Sequence, residues 1–367
     1  MTPPAILIYV EDPGAALYLR GLPGALADAG FKPVVVSTDH ARGTMAGARD
    51  LPPGPRGDDM AIALLAEVQP GVLVVGTSED PDSFAFRLAS MARGQGLPVI
   101  GAVDSAANAD RRFAGRTVSP LAHAPDALLV PDPASARAFA ALGFPASAIH
   151  VTGHPRIDEV RAMRAKADDR AREDLRRHLF PAAPPDHRIA IFVSELSVGL
   201  GGTAPFSRSP AYTLAGTSGS DRRSDIVAEE AVRALNRLDR IWTVLRLHPK
   251  QVALGETAST VAFDQVSQSE PALDLCLAAD LVCGMTSVLL VEAAALGVPV
   301  LSIVPKAAER AWLGDAGEAI PSVSTRAALE AWLAGPWTPA ALDLPPPGTA
   351  LNRMVAAIGR LTRKASV

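Results

Sequence analysis

The sequence predicts an α/β protein made of two doubly wound parallel sheets in tandem. Three observations carry that expectation. Short continuous apolar runs alternate with stretches of helical spacing, the pattern of strands buried on both faces between covering helices. The alternation gives way after residue 150 to a charged stretch and a Pro-rich breaker, and then restarts. The length of 367 residues suits two domains of roughly 150 residues or more, each with its own core.

In the first half, residues 6–10 form a short apolar run and read as a strand. Residues 15–29 have helical spacing and stop at Gly30. Strands over 33–37, 72–76, 98–103 and 127–130 follow, with helices over 60–68, 83–93 and 135–142. Residues 156–178 read as a long charged helix, and 181–185 as the breaker that ends the connection between domains. The expected division is 1–155 and 156–367, with a tail helix over 351–364 packing back across the junction. The second half offers strands over 189–193, 242–247, 281–283 and 300–303. Its helices are expected over 226–238, 272–279 and 287–296. Residues 199–220 are rich in Gly, Ser, Thr and Pro and have no period, so they are expected to be a mobile lid that orders over a ligand.

Composition narrows the function. Apolar residues are 48% and charged residues 20%, a globular balance. Lys plus Arg number 35 against 39 Asp plus Glu, so there is no basic field to hold nucleic acid. The two cysteines, Cys276 and Cys283, lie in apolar surroundings, which excludes a disulfide scaffold and a Cys-rich zinc site. The first residues lack a basic n-region and no 18-residue apolar stretch occurs, so neither a signal peptide nor a membrane span is expected. The expected location is the cytoplasm, extending to the inner face of the membrane through peripheral association.

Ligands of doubly wound sheets lie outside the carboxyl ends of the strands. That rule selects Glu11-Asp12-Pro13-Gly14 after the first strand, where Asp12 either caps the next helix or serves as a general base. It also selects Arg246-Leu247-His248-Pro249-Lys250, where Arg246 and His248 share a face if the strand persists; the segment is a phosphate clamp or a solvated basic turn. A third segment, Gly284-Met285-Thr286-Ser287, places hydroxyls and backbone N–H groups before a helix; it is an anion site or a plain Ser cap. Glu292 follows on that helix, as a ribose contact or an exposed acid. Asp104, Ser194 and Glu195 also stand at strand ends. No HExxH, Walker A, GxGxxG or zinc-finger spacing is present, so no metal and no cofactor is expected.

The run Asp280–Ser287 with Glu292–Val300, and the segment Val151–Asp158, resemble the donor half of GT-B glycosyltransferases and the related UDP-GlcNAc 2-epimerases. Glu11-Asp12, His248-Pro249 and Thr286-Ser287, in that order, resemble the signatures of bacterial transferases that use CMP-activated ulosonic acids such as sialic acid or Kdo. The resemblance implies a GT-B protein whose two Rossmann-like domains face a central cleft, with the acceptor side in the first and the nucleotide-sugar in the second. It implies a metal-independent inverting transfer from a nucleotide-sugar donor to a glycan, lipid or protein hydroxyl. Asp12 is then the base and His248 the phosphate contact and leaving-group acid. Arg246, Pro249, Lys250, Gly284, Thr286, Ser287, Glu292 and Ser194 would hold the donor, and Glu11, Gly14, Asp104 and Glu195 would line the cleft. The alternatives are a UDP-GlcNAc 2-epimerase or hydrolase-like enzyme, a CDP-glycerol-type transferase, and a non-catalytic sugar-nucleotide-binding protein.

Overall fold

The computed structural model describes residues 4–52, 56–196, 208–253 and 262–364. The chain forms two compact units, Met1–Asp158 with Pro345–Val367, and Glu159–Leu344.

Unit 1 contains strands β1 (Ala5–Val10), β2 (Lys32–Ser37), β3 (Arg49–Asp50), β4 (Val72–Gly76), β5 (Val99–Ala102), β6 (Ala127–Val130) and β7 (Ile149–Val151). They pair in parallel in the order β3-β2-β1-β4-β5-β6-β7. The order reverses between β1 and β4. The helices are α1 (Pro13–Leu19), α2 (Leu22–Asp28), α3 (Asp58–Val68), α4 (Phe84–Gly94) and α5 (Pro133–Ala141). Alternate residues of β1 feed two cores. Ile6, Ile8 and Val10 pack with Leu19, Leu22 and Leu26, and with Met354 and Ile358 of the C-terminal helix. Leu7 and Tyr9 pack with Leu65, Leu73, Phe84 and Leu88 on the other face. Burial on both faces explains why this strand reads as an unbroken apolar run.

Unit 2 begins within α6 (Arg156–Lys166) and continues with α7 (Asp169–Leu179). Its strands are β8 (Arg188–Val193), β9 (Ile241–Arg246), β10 (Gln265–Ser267), β11 (Leu281–Gly284), β12 (Val300–Ile303) and β13 (Ser322–Val323). Between them run α8 (Arg223–Leu235), α9 (Pro249–Ala253), α10 (Ala272–Ala278) and α11 (Val288–Ala295), and α12 (Arg326–Leu333) follows the last strand. The parallel order β10-β9-β8-β11-β12-β13 reverses between β8 and β11. Phe192, Ile226, Leu235, Leu245, Leu301 and Leu329 are among the residues that fill its core. The last helix, α13 (Thr349–Lys364), returns to unit 1.

Two expected helices are each split. The stretch 15–29 is α1 and α2, because Pro23 cannot donate from a helix interior and falls instead in a new first turn. The charged stretch 156–178 is α6 and α7, because Asp168 accepts from Ala171 N at 2.7 Å and starts a fresh helix. Arg172 and Arg176 of α7 hold Asp280 at 3.1 and 2.7 Å, and Asp280 in turn accepts from Ile189 N. The charged helix is thereby fastened to the start of β8.

Candidate functional site

In unit 2 the sheet order reverses at the ends of β8 and β11, where a doubly wound sheet opens its crevice. Val193 pairs with Gly284, and a side chain on Gly284 would stand 3.3 Å from the Val193 carbonyl, a tight contact that glycine avoids where these strand ends approach. Beyond them Glu195 faces Thr286. The Thr286 N–H donates to Glu195 Oε1, and its hydroxyl donates to Oε2 at 2.9 Å. Arg223, buried at the start of α8, donates to the same Oε2 at 3.1 Å and to Glu309 at 2.6 and 2.9 Å. Burial opposes the Arg223 charge, yet Glu195 and Glu309 together raise its pKa above the ordinary value. Ser287 caps α11, accepting from Leu289 N at 3.3 Å, and Ser194 and Glu292 are buried nearby in sequence.

The Arg246 segment departs from expectation. The strand ends at Arg246, so its spacing does not carry through to His248. Arg246 turns toward β10: Nη1 donates to Ser267 Oγ at 2.9 Å and lies 3.6 Å from Glu270. Burial, the largest influence, draws its pKa below the ordinary value despite Glu270. His248 precedes α9, with Pro249 in the first helical position, and its N–H donates to the Gln251 side chain at 2.9 Å. That is half of a capping box, a local structural reason for the motif's spacing. The Lys250 side chain lies outside the described atoms.

In unit 1 the corresponding reversal lies between β1 and β4. Asp12 accepts from Gly14 N at 2.9 Å and caps α1, and it also stands on the rim of the sheet. A Cβ at Gly14 would collide with Asp104 Oδ2 and stand 3.3 Å from Asp12 Oδ1, so two carboxylates converge on this glycine. Asp104 Oδ1 accepts from Arg112 at 2.8 Å. Arg112 also reaches Thr77 Oγ1 at 3.3 Å and Ser105 Oγ at 3.2 Å. Burial disfavours the guanidinium charge, but Asp104, Glu79 and Asp12 more than offset it and raise the Arg112 pKa. Glu11 is buried rather than turned to solvent. Its Oε2 accepts from Tyr9 OH at 2.9 Å, while Oε1 has no hydrogen-bond partner. Burial first, then Asp39 and Asp80, push its carboxyl above the usual range, against the opposing influence of the Ser83 and Tyr9 hydroxyls.

Sequence reasoning named Glu195 and Thr286 in one cluster and Asp12 and Asp104 in the other, and missed the arginine in each. Arg112 and Arg223 lie in segments without a recognisable motif, 8 and 28 positions from the acids they hold. The expected lid also differs where it is described. Within 208–220, Thr213 N donates to the Pro305 carbonyl at 2.9 Å and Gly216 N to Glu230 at 3.0 Å, while Glu229 accepts from Ser218 N at 2.9 Å. These bonds tie the segment to Pro305 and to buried acids on α8; its earlier part, 199–207, lies outside the described residues. Among the described residues no cluster of three or more His, Cys, Asp or Glu suits a metal ion, and no helix is long and apolar enough to cross a membrane.

No family model matches the chain, and no curated protein matches it either. Solved structures do match. The UDP-GlcNAc 2-epimerase of Neisseria meningitidis, bound to UDP-GlcNAc, is 14% identical with a TM-score of 0.67, over 98% of this chain and 100% of that one. The Methanocaldococcus jannaschii UDP-GlcNAc 2-epimerase, in complex with UDP-GlcNAc and UDP, is 14% identical with a TM-score of 0.64, over 97% and 99%. The Anabaena protein HepE, in complex with UDP and glucose, is 14% identical with a TM-score of 0.56, over 98% and 94%.

The chain therefore has the GT-B-like fold of the UDP-GlcNAc 2-epimerases, two Rossmann-like units each built on a parallel sheet. The expected resemblance to those epimerases is borne out at the level of fold. The expectation of an inverting glycosyltransferase for CMP-activated ulosonic acids is corrected: the structures that match along the whole chain include several UDP-GlcNAc 2-epimerases, and the short acidic, His-Pro and Thr-Ser pairs that suggested transfer also serve locally as a helix cap, half of a capping box and a turn.

Proposed function

We propose that this protein is an enzyme acting on a UDP-sugar, of the 2-epimerase or hydrolysing type. The observation that carries the reading is the whole-chain likeness to 2-epimerases, two of them solved with UDP-GlcNAc. The two rims fit that chemistry. In unit 2 the Gly284–Ser287 turn offers N–H and hydroxyl donors to a phosphate, with the Arg223 and Arg246 cations close to the strand ends. Those donors would stabilise the charge that develops on a departing UDP. Glu292 is the candidate ribose contact and His248 the candidate proton donor on the same rim. In unit 1, Asp12 and Asp104 converge on Gly14 and are candidate carboxylates for acid–base chemistry at a strand end. Arg112 orients Asp104.

The test is incubation with UDP-GlcNAc alone, without acceptor, followed by NMR of the sugar and chromatography of the nucleotide. The expected result is UDP release or appearance of the C2 epimer, lost on Asp104→Asn. UDP-GlcNAc recovered unchanged at high enzyme concentration would overturn the reading.

A further inference from the structure

The Gly284–Ser287 turn is not idle. Both donors of Thr286, the backbone N–H and the side-chain hydroxyl, are spent on one carboxylate, that of Glu195. An ionised carboxylate presents two acceptor oxygens to paired donors, as a phosphoryl group does. We propose that Glu195 is an internal competitor for phosphate: it fills the seat at the end of β11, and a nucleotide's phosphate must displace it to bind. This rests on the reading of that turn as the phosphate site.

Three features of the cluster support displacement rather than permanent bracing. Glu195 is the rim member of its group: its side chain keeps 16% of its exposure, against 5% for Arg223 and 7% for Glu309. It sits beyond the last residue of β8 and is not fixed by strand pairing. And Arg223 does not depend on it. Glu309 takes two of the Arg223 donors, at 2.6 and 2.9 Å, so the buried guanidinium keeps a counter-charge when Glu195 leaves. The Arg223 Nη1 donor released at the same moment, 3.1 Å from Glu195 Oε2, becomes available to the incoming anion. Glu195 thus sets which ligands succeed: a strongly anionic group wins the seat, and a neutral sugar does not.

The experiment is calorimetric titration of the full chain, wild type, Glu195→Gln and Glu195→Ala, with UDP and separately with inorganic pyrophosphate. The neutral amide weakens the competition and the alanine abolishes it, so both variants should bind both probes more tightly, the alanine by about tenfold or more, as expected for a lost charge-assisted contact. Glutamine keeps the shape and guards against a folding defect in the alanine variant; melting curves check both. Tighter pyrophosphate binding without any UDP binding would uphold the competitor and sink the nucleotide reading. Wild-type binding of UDP with neither variant tighter would sink the competitor and leave the nucleotide reading standing. No gain for either probe in either variant overturns the competitor outright.

Discussion

Arg112 donates from Nη1 to Asp104 Oδ1 at 2.8 Å, and this leaves the second Asp104 oxygen directed at Gly14, beside the carboxylate of Asp12. The pair is deep: the Arg112 side chain is 7% exposed and that of Asp104 14%. Removing one partner of such a pair strands the other charge in a low-dielectric setting. Arg112→Ala should therefore destabilise unit 1 by roughly 3–5 kcal/mol, measured by denaturant unfolding. Arg112→Lys keeps the charge without the fork that reaches Thr77 and Ser105, and should lose less. An alanine variant as stable as wild type would mean the pair contributes nothing.

Asp12 carries two separable roles. As the cap of α1 it accepts from Gly14 N, so Asp12→Ala should cost about 1 kcal/mol in stability. Asparagine caps as well as aspartate, and Asp12→Asn should melt close to wild type. If Asp12 also handles a proton on the sugar, the asparagine variant folds normally and fails to turn over UDP-GlcNAc. Turnover equal to wild type would leave Asp12 as a cap alone.

Glu11 predicts a pH dependence of stability. Its folded pKa is raised, chiefly by burial, so the folded state keeps a proton that the unfolded chain has already released. Between the ordinary glutamate value and the raised one, stability falls as pH rises; above the raised value the loss is complete. Glu11→Gln removes the titration and keeps an acceptor for Tyr9. It should melt a few degrees above wild type near about pH 8, with the gap closing toward about pH 4. A gap that is constant with pH, or inverted, contradicts the assignment.

The cysteines should be silent in the folded protein. Cys276 and Cys283 are 1% and 0% exposed, and burial pushes both thiols far up, so the reactive thiolate is scarce. A thiol reagent should modify both after denaturation and neither at a comparable rate beforehand. Rapid native labelling of either would contradict the packing.

The long apolar strands and the restart of the pattern were legible because burial on both faces writes itself into composition: β1, β4, β8 and β12 need no context. The short edge strands β3, β7, β10 and β13 were not, since two or three partly exposed residues such as Arg49-Asp50 carry no period. At the sites, Asp12, Asp104, Glu195 and Thr286 could be picked out because strand ends can be counted. Arg112 and Arg223 could not, because a buried salt bridge joins segments whose adjacency exists only after folding. The substrate misreading has the same root. Dipeptides such as His248-Pro249 are short enough to serve helix capping as well as a site, whereas the likeness to 2-epimerases runs the length of the backbone.

The return of the last helix to unit 1 makes unit 2 an insertion, entered after Asp158 and left before Pro345. The two unit 1 segments that flank the insertion are tied to each other, because Gly348 N donates to Asp158 Oδ2 at 2.7 Å. Evolution could therefore swap the inserted module without lengthening or breaking its host. A cut at the Pro-rich breaker, by contrast, would separate Met354 and Ile358 from the core they complete.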